Sequence, residues 1–442
     1  MTIKYRRDKS IHIIIETYDE NGRKRDRGGD TFTATMMNRQ FSASTAGRVA
    51  DYGNGTYSVF FYAPWPGIAE VIIALEFTRE AITFLRNAIK TKEMIFPITA
   101  KYTNGSRSGE TQCFMANEGV WSNKCEYVNT NSLGKTSLIC NKLNQFSCEE
   151  LKNMISYVED LDKFAASVMR HDAHMFQSPY HNTLLEGMPM KIKITDSSIQ
   201  PPRPPPCGPD MPIPITDGYW KNRYTFIPLV CRSQQWTKPE ASKCLQNKLF
   251  IVSGDSTIGQ LVTSFKELFN YEGLENNFVC PRIGKTADRL RILESDLLDK
   301  FGQQDCRSKE LVVVLNFFYH YALWSERAYL ERIYRAKLAV LRLRERCPNT
   351  KVIIKLAHPV KNRELVRSVH SSNWIFYDMN RMARYVFGGI GVLFLDPWDL
   401  VVSSTRLYKE GVHSPPPVIY QEVYLLLSYI CPELVSRWSQ EL

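Results

Sequence analysis

Residues 249–256 read Leu-Phe-Ile-Val-Ser-Gly-Asp-Ser, a short apolar β-type run that ends on a Gly-Asp-Ser turn. The residues that follow, Thr257-Ile258-Gly259-Gln260-Leu261-Val262 and then Phe265, Leu268 and Phe269, carry the apolar spacing of a helix. A strand, a glycine turn and a helix start are thereby compressed into one junction, the place where α/β proteins bind ligands. The first helical amides are left free to face developing negative charge, so Ser256 stands in the setting of a nucleophile. Alone the triplet is weak, since average composition yields it by chance in on the order of one chain in ten of this length. The flanking strand and helix give it weight.

Further apolar runs at 311–315, 352–356 and 392–395 alternate with helical segments. Between the first two of these, Leu330, Ile333, Tyr334, Leu338 and Leu341 fall on one helical face, and the helix is expected to stop before Pro348. Strand-helix alternation of this kind predicts a parallel sheet covered on both faces. The stretch Gln200-Pro201-Pro202-Arg203-Pro204-Pro205-Pro206-Cys207 ahead of it reads as a stiff extended linker. We therefore place a boundary there and expect a fragment from about Gly208 onward to keep its sheet.

The first hundred residues read as all-β. A β-branched run at 13–17 closes on Asp19-Glu20-Asn21-Gly22, a hairpin signal, and Gly28-Gly29-Asp30 makes another turn. A turn from Asp51 feeds a strand through Phe61, and Ala63-Pro64-Trp65-Pro66-Gly67 precedes a strand over 69–77. Strands about every 10 residues predict a β-sandwich, immunoglobulin- or filamin-like, over 1–103. Within 104–207, Cys113, Cys125, Cys140 and Cys148 read as two disulfides stapling a loop-rich insert, with three pairings open. No Cys-x-x-Cys pair argues for a metal. A helix is expected over 149–169, and Cys231 with Cys244 is the favoured local pair.

Eleven cysteines in 442 residues are many for a reducing compartment. Two glycosylation acceptors, Asn54-Gly55-Thr56 and Asn104-Gly105-Ser106, agree with a secretory-pathway protein. The start, Met1-Thr2-Ile3-Lys4-Tyr5-Arg6-Arg7, has no apolar signal core behind it, so a truncated or misassigned N-terminus is expected. No run approaches the about 20 apolar residues of a membrane span. The net charge of +10 fits either a groove for anionic glycans or a solvated surface. We favour the surface, because much of the excess lies along 327–346, the polar face of a helix. Zinc-type spacing, a Gly-rich phosphate loop and RNA-binding signatures are missing, and nucleic acid is not an expected partner.

A nucleophilic serine needs a base, and the base needs orienting. The last apolar strand runs into Asp396-Pro397-Trp398-Asp399-Leu400 and then Glu410-Gly411-Val412-His413-Ser414-Pro415-Pro416. A loop after the final parallel strand lies at the same sheet edge as Ser256, so His413 is the candidate base and Glu410 its orienting acid. The ordinary alternative for His413 is an exposed loop histidine; its position argues against that. Asn316 and His320, in the loop after 311–315, are candidate oxyanion donors. The competing reading makes Asn316 a turn cap and packs His320 beside Tyr321.

At this point the chain resembles the SGNH-type PC-esterases, which carry Gly-Asp-Ser after the first strand and Asp-x-x-His near the C-terminus. More closely it resembles the NXPE family, the neurexophilin and PC-esterase domain proteins. The resemblance rests on Gly28-Gly29-Asp30, Asn54-Gly55-Thr56-Tyr57, the cysteine-rich middle, Gly218-Tyr219-Trp220, Gly254-Asp255-Ser256-Thr257, Trp398-Asp399, His413 with its prolines, and Tyr429-Ile430-Cys431. It implies a secreted or Golgi-lumenal protein whose SGNH-like α/β domain, 208–442, is an acyl esterase or O-acetyltransferase acting on glycan hydroxyls. The middle cysteines then look like those of neurexophilin-type secreted ligands. Two departures stand out: Gly259 replaces the arginine usual three residues after the serine, and Glu410 replaces aspartate. Asp399 or Asp396 is the alternative acid. No cofactor is expected, unless a transferase takes its acyl group from a donor such as acetyl-CoA. The expected partner is a glycan or glycoprotein acceptor, with a cell-surface protein as the second candidate; a catalytically inactive binding or adhesion module is the competing reading.

Overall fold

A computed structural model describes residues 3–6, 10–87, 98–115, 122–128, 137–156, 166, 170, 172–195, 204–211, 214, 217–270, 274–277, 293–322, 324–361, 369, 371–404 and 411–435. Its architecture is mixed α and β, with antiparallel sheets in the first half and one parallel sheet in the second.

The parallel sheet has five strands in the order Leu274–Asn277, Lys248–Ser253, Glu310–Asn316, Lys351–Lys355, Leu393–Leu395. Four of them are the predicted apolar runs. Their side chains are buried toward both faces: Leu311, Val313 and Leu315 enter one core cluster, Val312 and Val314 the other. Continuous hydrophobicity is what a doubly covered parallel strand requires. Helices Glu326–Arg346 and Asn373–Phe387 cover the first face, and Ser256–Phe269 with Pro416–Ile430 cover the second. The helix over 326–346 forms as predicted, but its buried face differs. Ala328, Tyr329, Arg332, Ile333, Ala336, Ala339, Val340 and Leu343 point inward, whereas Tyr334 and Leu338 are exposed. Arg332 is tolerated there because its Nε meets Glu294 at 2.7 Å with both groups buried. Other cations of this run also serve the fold: Arg344 donates to Gly391 O, and Arg342 pairs with Asp299.

In the first half, an eight-stranded sheet and a three-stranded sheet share one core. Ile11, Tyr57, Val59 and Phe61 come from the smaller sheet, and Ala34, Met36, Val71 and Ile73 from the larger. The strand run and the Asp19-to-Gly22 turn fall where predicted, and Asp19 Oδ1 accepts from the amides of Asn21 and Arg23. The sheets do not respect the boundaries drawn from sequence. Strands His181–Leu184 and Met190–Thr195 belong to the large sheet, and so do Gly218–Trp220 and Phe226–Pro228, which lie beyond the linker. Gly218–Trp220 pairs with Ala43–Ala46, and Trp220 Nε1 donates to Leu400 O at 3.0 Å. A fragment from Gly208 would thus lose one of the two partners of its first strand. Two cysteine-rich expectations are corrected as well. The middle region is a five-stranded antiparallel sheet, not loops, and Leu151–Ser156 is a strand where a helix was expected. Pairing with Ile98–Asn104 overrides the helical apolar pattern there.

Five disulfides join Cys113–Cys140, Cys125–Cys148, Cys207–Cys231, Cys244–Cys431 and Cys306–Cys347. Cys231 and Cys244 each take a more distant partner than expected, because the strand and helix pairing brings Cys207 and Cys431 beside them. Cys244–Cys431 spans 187 residues, so it removes the most denatured-state freedom. With ten of eleven cysteines paired, titration of the denatured, unreduced protein should count about one thiol, that of Cys280, which lies outside the described residues. A count near eleven would contradict the pairing.

A buried carboxyl lies where the antiparallel half meets the parallel half. Glu76 accepts from Asn373 Nδ2 at 2.5 Å, and Asn373 Oδ1 accepts from Val360 N at 2.7 Å. Burial pushes the Glu76 carboxyl up to about 7, from 4.5. The native state therefore holds a proton that the unfolded chain releases, and the linked stability is full below about 4.5 and lost as pH rises through about 7. Stability measured by urea unfolding should fall between pH 5 and pH 8 by roughly 3 kcal/mol from this group. Glu76→Gln should flatten that slope; an unchanged slope would refute the assignment.

Candidate active site

The turn after Lys248–Ser253 is fixed by sterics and by one carboxylate. A Cβ at Gly254 would stand 2.7 Å from Ile258 Cγ1 and 2.8 Å from Asn316 Cβ, so only glycine fits. Asp255 is the N-cap of Ser256–Phe269, and its buried Oδ1 accepts from Thr257 N at 2.8 Å and Thr257 Oγ1 at 2.7 Å. Its Oδ2 accepts from Tyr319 N at 2.9 Å, which ties the serine turn to the loop after Glu310–Asn316. Ser256 is left exposed at the first helical position.

His413 reaches that serine. Its Nε2 lies 2.9 Å from Ser256 Oγ, across 157 positions of sequence. Both side chains are exposed at the carboxyl edge of the sheet. This is hydrogen-bond distance for a general base and its nucleophile.

The other candidates are distributed differently. Asn316 is fully buried; its Nδ2 donates to Lys355 O at 3.1 Å, and the side chain packs under Gly254. His320 is half-buried, with its ring 5.9 Å from that of Tyr319. Glu410 lies outside the described residues. Asp399 sits in the first turn of Trp398–Ser403, and burial, then Asp396 and Asp217, push its carboxyl up to about 7. The charged groups that face it are Asp396, Asp217, Arg48 and Arg384, and His413 is not among them. Asp396 is held by Arg384 Nη2 at 2.5 Å and caps Trp398 N. Gly259, the departure from the arginine of PC-esterases, is a helical position with its amide on Asp255 O at 3.2 Å.

Two residues near the site carried no signal in spacing. These are Gln260, whose Nε2 donates to Ser414 O at 2.9 Å, and His358, whose Nε2 donates to Val412 O at 2.7 Å. Burial, then the nearby Lys355, push the His358 imidazole down to about 3. Beneath them Lys355 Nζ meets Glu422 Oε2 at 2.9 Å, without linear hydrogen-bond geometry and with neither side chain exposed.

A parallel five-stranded sheet carries the Gly-Asp-Ser turn at the end of one strand, and a histidine from near the C-terminus reaches its serine. Comparison with known proteins adds the family. Residues 7–175 match the model for neurexophilin, and residues 293–431 match that for the NXPE family member 4-like C-terminal domain. The two matches, one in each half of the chain, are consistent with the NXPE family. Among solved structures, a Bacteroides fragilis protein described as an acylhydrolase is similar at 17% identity, over 43% of this chain and 88% of its own, with a TM-score of 0.30. A GDSL-like lipase from Bacteroides thetaiotaomicron is similar at 15% identity, over 44% and 89%, with a TM-score of 0.27. Among the described residues no helix is long and apolar enough to cross a membrane, and no cluster of His, Cys, Asp or Glu could hold a metal ion.

Proposed function

We propose that this protein transfers acyl groups to or from glycan hydroxyls through a serine nucleophile, as an esterase or an O-acetyltransferase of the secretory pathway. The observation that carries the reading is the 2.9 Å contact between His413 Nε2 and Ser256 Oγ. Ser256 Oγ attacks the acyl carbon, and His413 takes the hydroxyl proton in the same step. The tetrahedral intermediate expels the alcohol, which receives that proton from His413, and an acyl-serine remains. Water or a sugar hydroxyl, deprotonated by His413, then attacks the acyl carbon, and His413 returns that proton to Ser256 Oγ as the bond between the acyl carbon and Ser256 Oγ breaks. Of the first helical amides, Thr257 N is taken by Asp255 Oδ1 and Ile258 N and Gly259 N by Asp255 O, so Ser256 N is the backbone donor proposed for the developing oxyanion. Glu410 is the proposed orienting acid, and Asn316 supports the oxyanion side from beneath the turn. An exposed serine and histidine suit an acceptor too large to enter a closed pocket.

Five disulfides support an oxidising lumen or the cell exterior as the site of residence. For the first half we propose an immunoglobulin-like sandwich, on the two sheets that share one core. The division we propose is an antiparallel part to about Pro228 and an SGNH-like part from Lys238. A second reading, a secreted binding module without catalysis, is favoured by the neurexophilin match over 7–175 and by Gly259 in place of arginine.

Labelling of the disulfide-intact protein with a fluorophosphonate tests the choice. The enzyme reading expects one modified residue, Ser256, located by peptide mass spectrometry. An unlabelled Ser256, with arginine at position 259 failing to rescue it, transfers the lead to the binding module.

A further inference from the structure

The segment that carries His413 is exposed at the ring but fastened along its backbone. Gly411 N donates to Lys361 O at 3.3 Å, Val412 O accepts from His358 Nε2, and Ser414 O accepts from Gln260 Nε2. The last two contacts fall on the residues immediately before and after the histidine. Gln260 stands one helical turn after Ser256 on the same helix, so nucleophile and base are referenced to one rigid element. His358 comes from the loop beyond Lys351–Lys355, almost wholly buried, with the Phe318 ring set edge-on at 4.9 Å.

The chemistry of these two side chains argues against a purely structural role. Val412 O can only accept, so His358 Nε2 carries the ring proton. His358 Nδ1 is buried with no partner among the described residues, and so is Gln260 Oε1. A buried polar atom left unpaired is costly, and an apolar side chain of similar shape would fill either place without that penalty. What an apolar residue would not supply is the N–H that holds the carbonyl beside His413. A second proton on His358 would find no acceptor and would face Lys355 and His413, so the ring stays neutral and keeps its single donor.

We propose that His358 and Gln260 are positioning residues that hold the imidazole of His413 on Ser256 by gripping the backbone carbonyls on either side of it. The inference rests on the serine-histidine reading above. Freeing either carbonyl lets the loop turn, and a displacement of about 1 Å at the reacting atoms is enough to cost on the order of a hundredfold in rate. Neither side chain touches the acceptor, so the loss falls on kcat.

The test uses the full, disulfide-intact chain with p-nitrophenyl acetate, and hydrogen exchange of the peptide covering Gly411 to Ser414. His358→Leu and Gln260→Leu should each lower kcat by about 30- to 100-fold with KM within about twofold. Exchange over Gly411 to Ser414 should quicken about tenfold while that of Glu326–Arg346 is unchanged. His358→Gln, whose amide nitrogen can reach the same carbonyl, should restore most of the rate and the protection; it also answers for His358→Leu if that variant does not fold. Folded variants with undiminished kcat and native exchange overturn the clamp and leave the serine-histidine reading standing. If unaltered protein shows no labelling at Ser256, the exchange arm alone decides: quickened exchange keeps the clamp as a fact of the loop, and equal exchange ends it.

Discussion

Ser256→Ala should abolish both fluorophosphonate labelling and turnover of p-nitrophenyl acetate, because the other hydroxyls at this strand end, Ser253 and Thr257, are buried and that of Thr257 is held by Asp255. His413→Ala should lower kcat by about four to six orders of magnitude, since residues that act as one unit lose nearly everything when either is removed. The double variant should be scarcely worse than the single ones. Glu410→Gln is the informative third member. A loss as large as that of His413→Ala identifies Glu410 as the orienting acid, whereas a loss below about tenfold leaves orientation to the backbone grip of His358 and Gln260. Persistent labelling in Ser256→Ala would remove Ser256 from the mechanism.

The second large effect concerns stability. Lys355 and Glu422 are both fully buried and meet at 2.9 Å under the site. Burial raises the Glu422 carboxyl, and Lys355 opposes that rise. Removing one partner strands a charge in a low-dielectric interior. Glu422→Ala should therefore destabilise the fold by about 3–5 kcal/mol, read as a drop in urea midpoint at constant m-value. Replacing both, Lys355→Met with Glu422→Leu, should recover most of that loss, because two apolar groups of similar volume need no charge compensation. Equal stability of Glu422→Ala and the unaltered protein would show that the pair is not uncompensated when broken.

The parallel sheet was legible because its central strands are buried on both faces and so read as unbroken apolar runs. Leu274–Asn277 was not, since Leu-Glu-Asn-Asn has no such run and the strand sits at the sheet edge with one partner. The helix over 326–346 was found but turned the wrong way. Its buried face joins Tyr329, Ile333, Val340 and Leu343 to three alanines and to Arg332 neutralised by Glu294, while Tyr334 and Leu338, part of the expected apolar face, are exposed. Ser256 and His413 could be paired because both follow strands at one edge. Gln260 and His358 could not, because each acts on a backbone carbonyl, and such contacts leave no residue-type spacing to read. The strand at 151–156 and the hairpin at 218–228 depend on partners distant in sequence, which local pattern does not encode.

The hairpin closed by Gly218–Trp220 and Phe226–Pro228 finishes a sheet begun near the N-terminus, yet it hangs on the helix that follows His413. Gln421 accepts from Phe226 N and donates to Tyr224 O. A transcript that started inside the proline-rich stretch would release a chain with a bare strand edge and an apolar cluster of Trp220, Phe226, Leu400, Val401 and Val418 left without its roof. Such an edge invites intermolecular pairing.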